Sequence, residues 1–466
     1  MDHPIMLPRS PLRLAPHGRT ALFYPASRAA SQPIGQRVHS VPITSFAFAA
    51  VLSAPALCRG FDSQAGMAIS FLLNGALLTA LTLVCPPTPL AARQIRPAVV
   101  LVACAIGWAM LATWVGNGRW TEFATPRLLS LCSGFAALLC GLLFGVANER
   151  RGITRLLDLI LGFNCILLLL GLAFRYSDTA EGMLDYWTLS RLGRFTGTIG
   201  NSNVTAALSG SLCLYAFWRF IATTNRRTAG RERGLDAIRA PLYGLAAFLT
   251  LGTIVATASR FSIVVLALLM AVIALGRRQR LARLLFRPSL PNLILTGVLA
   301  MLVAFLIADY GDMLGARFGR LLPELDYRAE LWRHYGQIAA ESPWLGYGLG
   351  SFQSVNAHFL SSPRFAEKAF AINSPHDLPL QLLLVGGWPY LFLLVAAAIC
   401  IVKSILRTMR NSDHRIFGAM IAMLLATSLV DIVLDMPVTV SLAMALTGLL
   451  WGQSLKIDVA GSRAQP

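Results

Sequence analysis

The chain has 466 residues, of which 56% are hydrophobic and only 13% charged, with a mean hydropathy of +0.62. About a quarter of the residues of a soluble domain are charged, so these figures exclude a soluble globular fold and point to a polytopic helical membrane protein. The net charge of +18 implies no nucleic-acid partner, because most Lys and Arg fall in short connections between apolar runs, where they orient a membrane protein.

Residues 1–40 are rich in Pro and Arg and carry one acidic residue, Asp2. No apolar run near the start marks an ordinary signal peptide. The stretch reads as a disordered cytoplasmic tail or an overlong gene start, with a transit peptide as the alternative. Apolar spans then follow at 41–58, 65–84, 98–115, 128–147, 154–174, 203–222, 241–257, 261–276, 291–309, 378–402, 416–434 and 438–455. A helix rises about 1.5 Å per residue, so spans near 20 residues cross a hydrocarbon core of about 30 Å. The expected fold is all-α, with about twelve transmembrane helices. A cytoplasmic tail over 1–40 precedes helices 1–9 over 41–309. A large helical periplasmic loop takes 310–377, helices 10–12 take 378–455, and a second cytoplasmic tail takes 456–466. The eight Cys lie mostly in apolar segments without a C-x-x-C pair and read as small core residues.

With both termini inside, the short loops obey the bias of Lys and Arg toward the cytoplasm. The exception is the outer segment 175–202, with Arg175, Arg191 and Arg194. The outer turn Ala258-Ser259-Arg260 also has almost no loop. It sets a guanidinium close to lipid, where unpaired burial is costly. Both placements call for an anionic partner.

Ser374-Pro375-His376-Asp377 reads as a helix start, with Ser as N-cap, Pro at the first position and Asp closing a capping box. The helix is expected to run through Leu378–Val385 with His376 in its first turn. The partial positive charge there disfavours imidazolium and leaves the ring available as a general base. The alternative is a surface His at a helix cap. Segment 327–341 has helical period and puts Arg328, Trp332, Tyr335 and Ala339 on one face, with Pro343 ending it. An Arg among aromatics suits a sugar or a diphosphate. The alternative is an amphipathic helix on the interface with its Arg snorkelling.

Gly346-Tyr347-Gly348-Leu349-Gly350 follows no strand, opens no helix and lacks a following Lys-Ser/Thr. It reads as a tight turn and not as a nucleotide loop. Arg191-Leu-Gly-Arg194-Phe-Thr-Gly197-Thr-Ile-Gly200-Asn201-Ser-Asn203 is a polar outer loop before a span. Asp158, Asn164 and Asp431 are polar groups inside or at the end of spans, and Asp158 is in reach of Arg155 at i−3. No metal-ligand spacing and no nucleophile motif occurs.

Together these features resemble the O-antigen ligase and O-antigen polymerase superfamily of bacterial membrane glycosyltransferases. The resemblance rests on Thr257-Ala-Ser259-Arg260, on Arg328…Trp332…Pro343-Trp-Leu-Gly346-Tyr-Gly348-Leu-Gly350-Ser-Phe352, and on His376 followed by Leu380-Gln381 and Gly386-Gly387. The Gly197…Gly200-Asn201-Ser-Asn203 run also looks like the family's loop before a mid-chain span. It covers about residues 190–400. It implies an inner-membrane enzyme that moves a glycan from undecaprenyl diphosphate to an acceptor hydroxyl, on lipid A core for a ligase or on a glycan chain for a polymerase. The transfer would be metal-independent, inverting and without cofactor. Arg260 and Arg328 would hold the diphosphate, with Arg191 or Arg194 assisting, and His376 would take the acceptor proton. Asn201, Asn203, Trp332 and Tyr347 complete the expected substrate-binding set. One departure is Asp377, where the family usually has Asn. The rival class is a transporter, for which internal repeats and midplane charges are expected; neither is evident here.

Overall fold

The computed structural model describes residues 34–86, 89–115, 122–175, 193–228, 234–276, 311–313, 315–360, 374–406 and 414–463, with single positions at 297, 304, 308 and 372. Lipid offers no partner for backbone N–H and C=O groups, so a spanning chain satisfies them internally by coiling into helices. The described helices are α1 (Ile34–Leu57), α2 (Gln64–Val84), α3 (Pro89–Val115), α4 (Ala124–Ala147), α5 (Arg150–Arg175), α6 (Ser202–Thr228), α7 (Gly234–Thr257) and α8 (Arg260–Gly276). There follow α9 (Leu321–Glu341), α10 (Phe352–Phe359), α11 (Leu378–Leu406), α12 (His414–Ser428) and α13 (Pro437–Arg463). Among the described residues, eight helices are long and apolar enough to cross a membrane, and Pro42–Leu57, Arg260–Gly276 and His414–Ser428 are shorter apolar ones. The chain is an all-α, multi-pass membrane protein. Each expected span coincides with one of these helices except 291–309, which lies almost wholly outside the described residues.

Close packing comes from small residues. Gly141 and Gly145 on α4 face Gly448 and Gly452 on α13. A Cβ on Gly145 would fall 2.6 Å from Leu449 O, and one on Gly452 2.4 Å from Leu142 O. Two G-x-x-x-G stripes therefore let the backbones of α4 and α13 touch, the usual solution where lipid removes the hydrophobic drive for helix pairing. Polar groups bind the same bundle: Asn74 of α2 donates to Ser133 of α4 at 3.0 Å and to Ser441 of α13 at 3.4 Å. Asp158 of α5 pairs with Arg219 of α6 at 3.4 Å and accepts from the Tyr215 hydroxyl at 2.7 Å. Its partner is thus a neighbouring helix and not Arg155, because a cross-helix guanidinium can be buried with it while Arg155 is exposed.

Two helix boundaries differ from expectation, and both matter for the site. The helix expected from Ser374 starts at Leu378. Asp377 is its cap, its carboxylate accepting from Leu380 N at 2.8 Å. His376 stands before the helix with φ +53°, outside the first turn. The span expected over 416–434 stops at Ser428, and Asp431 lies in the connection to α13 that contains the short turn Val433–Asp435. There its carboxylate is free to meet side chains from other elements.

α11 is broken at Gly386–Gly387, where the backbone leaves helical geometry. The freed groups are taken up by the glycine-rich turn. Tyr347 N donates to Leu384 O at 2.7 Å, Gly348 N to Val385 O at 2.9 Å, and Trp388 N to Pro343 O at 2.8 Å. Non-helical backbone near a membrane is tolerated when protein satisfies it in this way. Gly346, Gly348 and Gly350 all have positive φ. A Cβ on Gly348 would sit 2.6 Å from Thr113 Cα, so only glycine lets this turn lie against α3.

Candidate functional site

The site is assembled where helix ends meet at one face of the bundle. The start of α6, the α7–α8 turn, the start of α9, the residue before α11 and the α12–α13 connection each contribute a polar side chain. The loop before α6 is laid down by its own capping: Asn201 Oδ1 accepts from Asn203 N at 2.9 Å and from Val204 N at 3.1 Å, an N-cap that starts α6. Arg194 then reaches across. Its Nε donates to Thr257 O at 2.7 Å and its Nη2 to Asn203 Oδ1 at 2.6 Å. The next link runs from Asn203 Nδ2 to Asp431 Oδ2.

Asp431 is the junction. Besides Asn203, its carboxylate faces Arg328 Nη2 at 3.4 Å and His376 Nδ1 at 3.3 Å. It also accepts from Ile432 N at 2.8 Å. Its side chain is only 11% exposed. Burial alone would raise its pKa, but the His376 hydrogen bond, the charges of His376 and Arg328 and the Ile432 N–H outweigh it and hold the carboxyl below its ordinary value. A second carboxylate, Glu324 of α9, accepts from Arg260 Nη2, and Arg260 Nη1 donates to the Arg317 carbonyl. Burial pushes the Arg194 pKa down to about 10, with Arg317 and Arg260 adding to that and Asp431 and Glu324 opposing it. Arg194 keeps its charge at neutral pH. Four guanidinium groups thus share two carboxylates, an excess of positive charge that suits an anion rich in oxygen.

Three N–H donors in this neighbourhood are buried with no acceptor among the described residues: Arg317 Nη1, Arg328 Nη1 and Trp332 Nε1. Leaving such a donor unpaired costs about 1–3 kcal/mol, more when it is charged. α9 is fixed by the neighbouring residues Leu331, Tyr335 and Ile338, which pack with Tyr347, Val355 and Leu384. The Tyr335 hydroxyl donates to Asn356 Oδ1 at 2.7 Å. That packing aims Arg328 at Asp431.

The residues expected from sequence are therefore only partly brought together. His376, Arg328 and Asn203 meet at Asp431, Arg194 joins them through Asn203, and Arg260 stands beside them with Glu324 and Arg317. Asn201 caps α6. Tyr347 lies in the loop's own core, its hydroxyl donating to Ile338 O at 3.0 Å. Trp332 is half-buried on α9, and Arg191 lies outside the described residues. Sequence reasoning gave no role to Asp431, Glu324 or Arg317. The signal for Asp431 was available: an acidic residue at the edge of an apolar span calls for a function.

Residues 245–395 match the family model described as O-antigen ligase. No curated protein matches the chain. The matched segment holds Arg260, Arg328 and His376 together with the turn that seals α11. The match over this segment supports a place in the O-antigen ligase superfamily, whose members are membrane enzymes of glycan biosynthesis.

Proposed function

We propose that this protein moves a glycan from undecaprenyl diphosphate to an acceptor hydroxyl at the periplasmic face of the bacterial inner membrane, as an O-antigen ligase. The same chemistry with a growing glycan as acceptor makes a polymerase. One observation carries the reading: His376 and Arg328 both lie within hydrogen-bonding or ion-pair distance of Asp431, beside the Arg194–Asn203 and Arg260–Glu324 pairs.

In this reading, Nδ1–H of His376 donates to Asp431, which leaves Nε2 as the base. Nε2 takes the proton as the acceptor oxygen attacks the anomeric carbon. The new C–O bond forms as the bond to the diphosphate breaks from the opposite side, so configuration inverts and undecaprenyl diphosphate leaves. Arg260 and Arg328 neutralise the charge that develops on that leaving group. Arg194 and Asn203 hold Asp431 in place. A positioned base supplies about 10²–10⁴-fold in rate.

The test is complementation. His376→Ala and Arg260→Ala, expressed at wild-type level in a strain lacking the gene, should leave surface polysaccharide absent. Normal polysaccharide from either variant removes that residue from the mechanism.

A further inference from the structure

We propose that Arg317 is a direct ligand of the donor's diphosphate, paired with Arg328. The proposal rests on the reading of the site given above and extends it to a residue outside the expected set. Arg317 lies in the helical stretch before α9. Its carbonyl accepts from Arg260 Nη1, so Arg260 fixes the place of this residue while its other terminal nitrogen is held by Glu324. Both terminal nitrogens of Arg260 are therefore engaged within the protein. Arg317 and Arg328 differ from it: each has an Nη1 that is buried and has no acceptor among the described residues.

Like charges do not gather without cause. Arg317 is half-buried, and its pKa is lowered first by burial and then by Arg260 and Arg328, with Glu324 and Asp431 opposing. A diphosphate resolves the conflict, since it carries charge on two centres and offers more acceptor oxygens than one guanidinium can fill. Two forks at adjacent positions, one per phosphate, match that shape. A single phosphate would leave one of them unfilled. The arrangement thus predicts a preference for diphosphate over monophosphate lipids.

The experiment measures binding of undecaprenyl diphosphate and undecaprenyl monophosphate to the full-length protein in nanodiscs. The proteins compared are wild type, Arg317→Ala, Arg317→Lys and Arg328→Ala. Thermal unfolding is recorded for each. Arg317→Ala should weaken diphosphate binding at least about tenfold, the order one charge-assisted hydrogen bond is worth. It should change monophosphate binding less, so the preference between the lipids collapses. Arg317→Lys, which keeps charge but not the fork, should fall between. If Arg317→Ala binds like wild type while Arg328→Ala loses affinity, Arg317 is no ligand although the diphosphate reading stands. If neither variant loses affinity, that reading falls and takes this assignment with it. Equal loss for both lipids with lowered thermal stability, in Arg317→Lys as well, would assign Arg317 to the fold and overturn the proposal.

Discussion

Asp431 accepts from Asn203 and faces both His376 and Arg328, and its carboxyl is held below the ordinary value of 3.8. A group whose folded pKa is depressed adds stability that is complete above its unfolded pKa and is lost as pH falls through the folded one. Asp431→Asn removes that titration. The difference in melting temperature between wild type and Asp431→Asn should therefore stay constant from pH 7 to about 5 and narrow below 3.8. A gap that widens on acidification would contradict this reading of the carboxylate. In a transfer assay the same variant should lose about 10²-fold in turnover, the order that removal of one charge partner costs in a preorganised site. At this scale the sequence was legible only in part. Arg328 and His376 stood out because cations and imidazoles beside apolar spans are rare. Asp431 was hidden by the boundary of its own helix, since a span drawn to residue 434 turns a site carboxylate into an intramembrane one. Arg317 and Glu324 are ordinary loop charges until tertiary structure sets them against Arg260.

The elements were easier to read than the joints between them. Apolar runs near 20 residues could only coil, and the helices fall where those runs lie. The break in α11 was not read, because Gly386-Gly387 in an apolar run is compatible with an unbroken helix. What opens it is a partner: the 343–349 segment donates to and accepts from the freed backbone. Gly387 has φ +64° and ψ −164°, a region that side chains avoid, and a Cβ there would lie 2.4 Å from Pro343 O. Strain of this kind costs about 1–3 kcal/mol before any clash is counted. Gly387→Ala should lower the melting temperature sharply or abolish accumulation of folded protein. Gly162 on α5 is the control, with nothing within 4 Å of its Cβ position; Gly162→Ala should be neutral or stabilising by up to about 1 kcal/mol. Equal behaviour of the two variants in a thermal-shift series would mean that the turn does not seal the broken helix.

Across the whole molecule, the site depends on which helix ends share a face. Thr113 at the end of α3 accepts from Leu349 N at 2.8 Å, and Arg127 at the start of α4 donates to the Asp435 carbonyl at 3.4 Å. The ends of α3, α7 and α12 and the starts of α4, α6, α11 and α13 thus meet on the side of His376. On the opposite side Gln453 of α13 donates to Asn148 O, beside the start of α5. The described ends of α4, α6, α8 and α11 lie toward this second side, and the Lys and Arg of the sequence beyond them favour, by the orienting rule, the outward placement of the His376 face proposed above. Ser354 on α10 and Glu149 between α4 and α5 are both exposed and mark the two faces. In a cysteine-free background, Ser354→Cys should react with a membrane-impermeant maleimide on cells whose outer membrane alone is permeabilised. Glu149→Cys should react only after the inner membrane is opened. The reverse pattern would place His376 in the cytoplasm, where a flipped lipid-linked glycan is absent, and no arrangement of arginines at that face could then serve the proposed transfer.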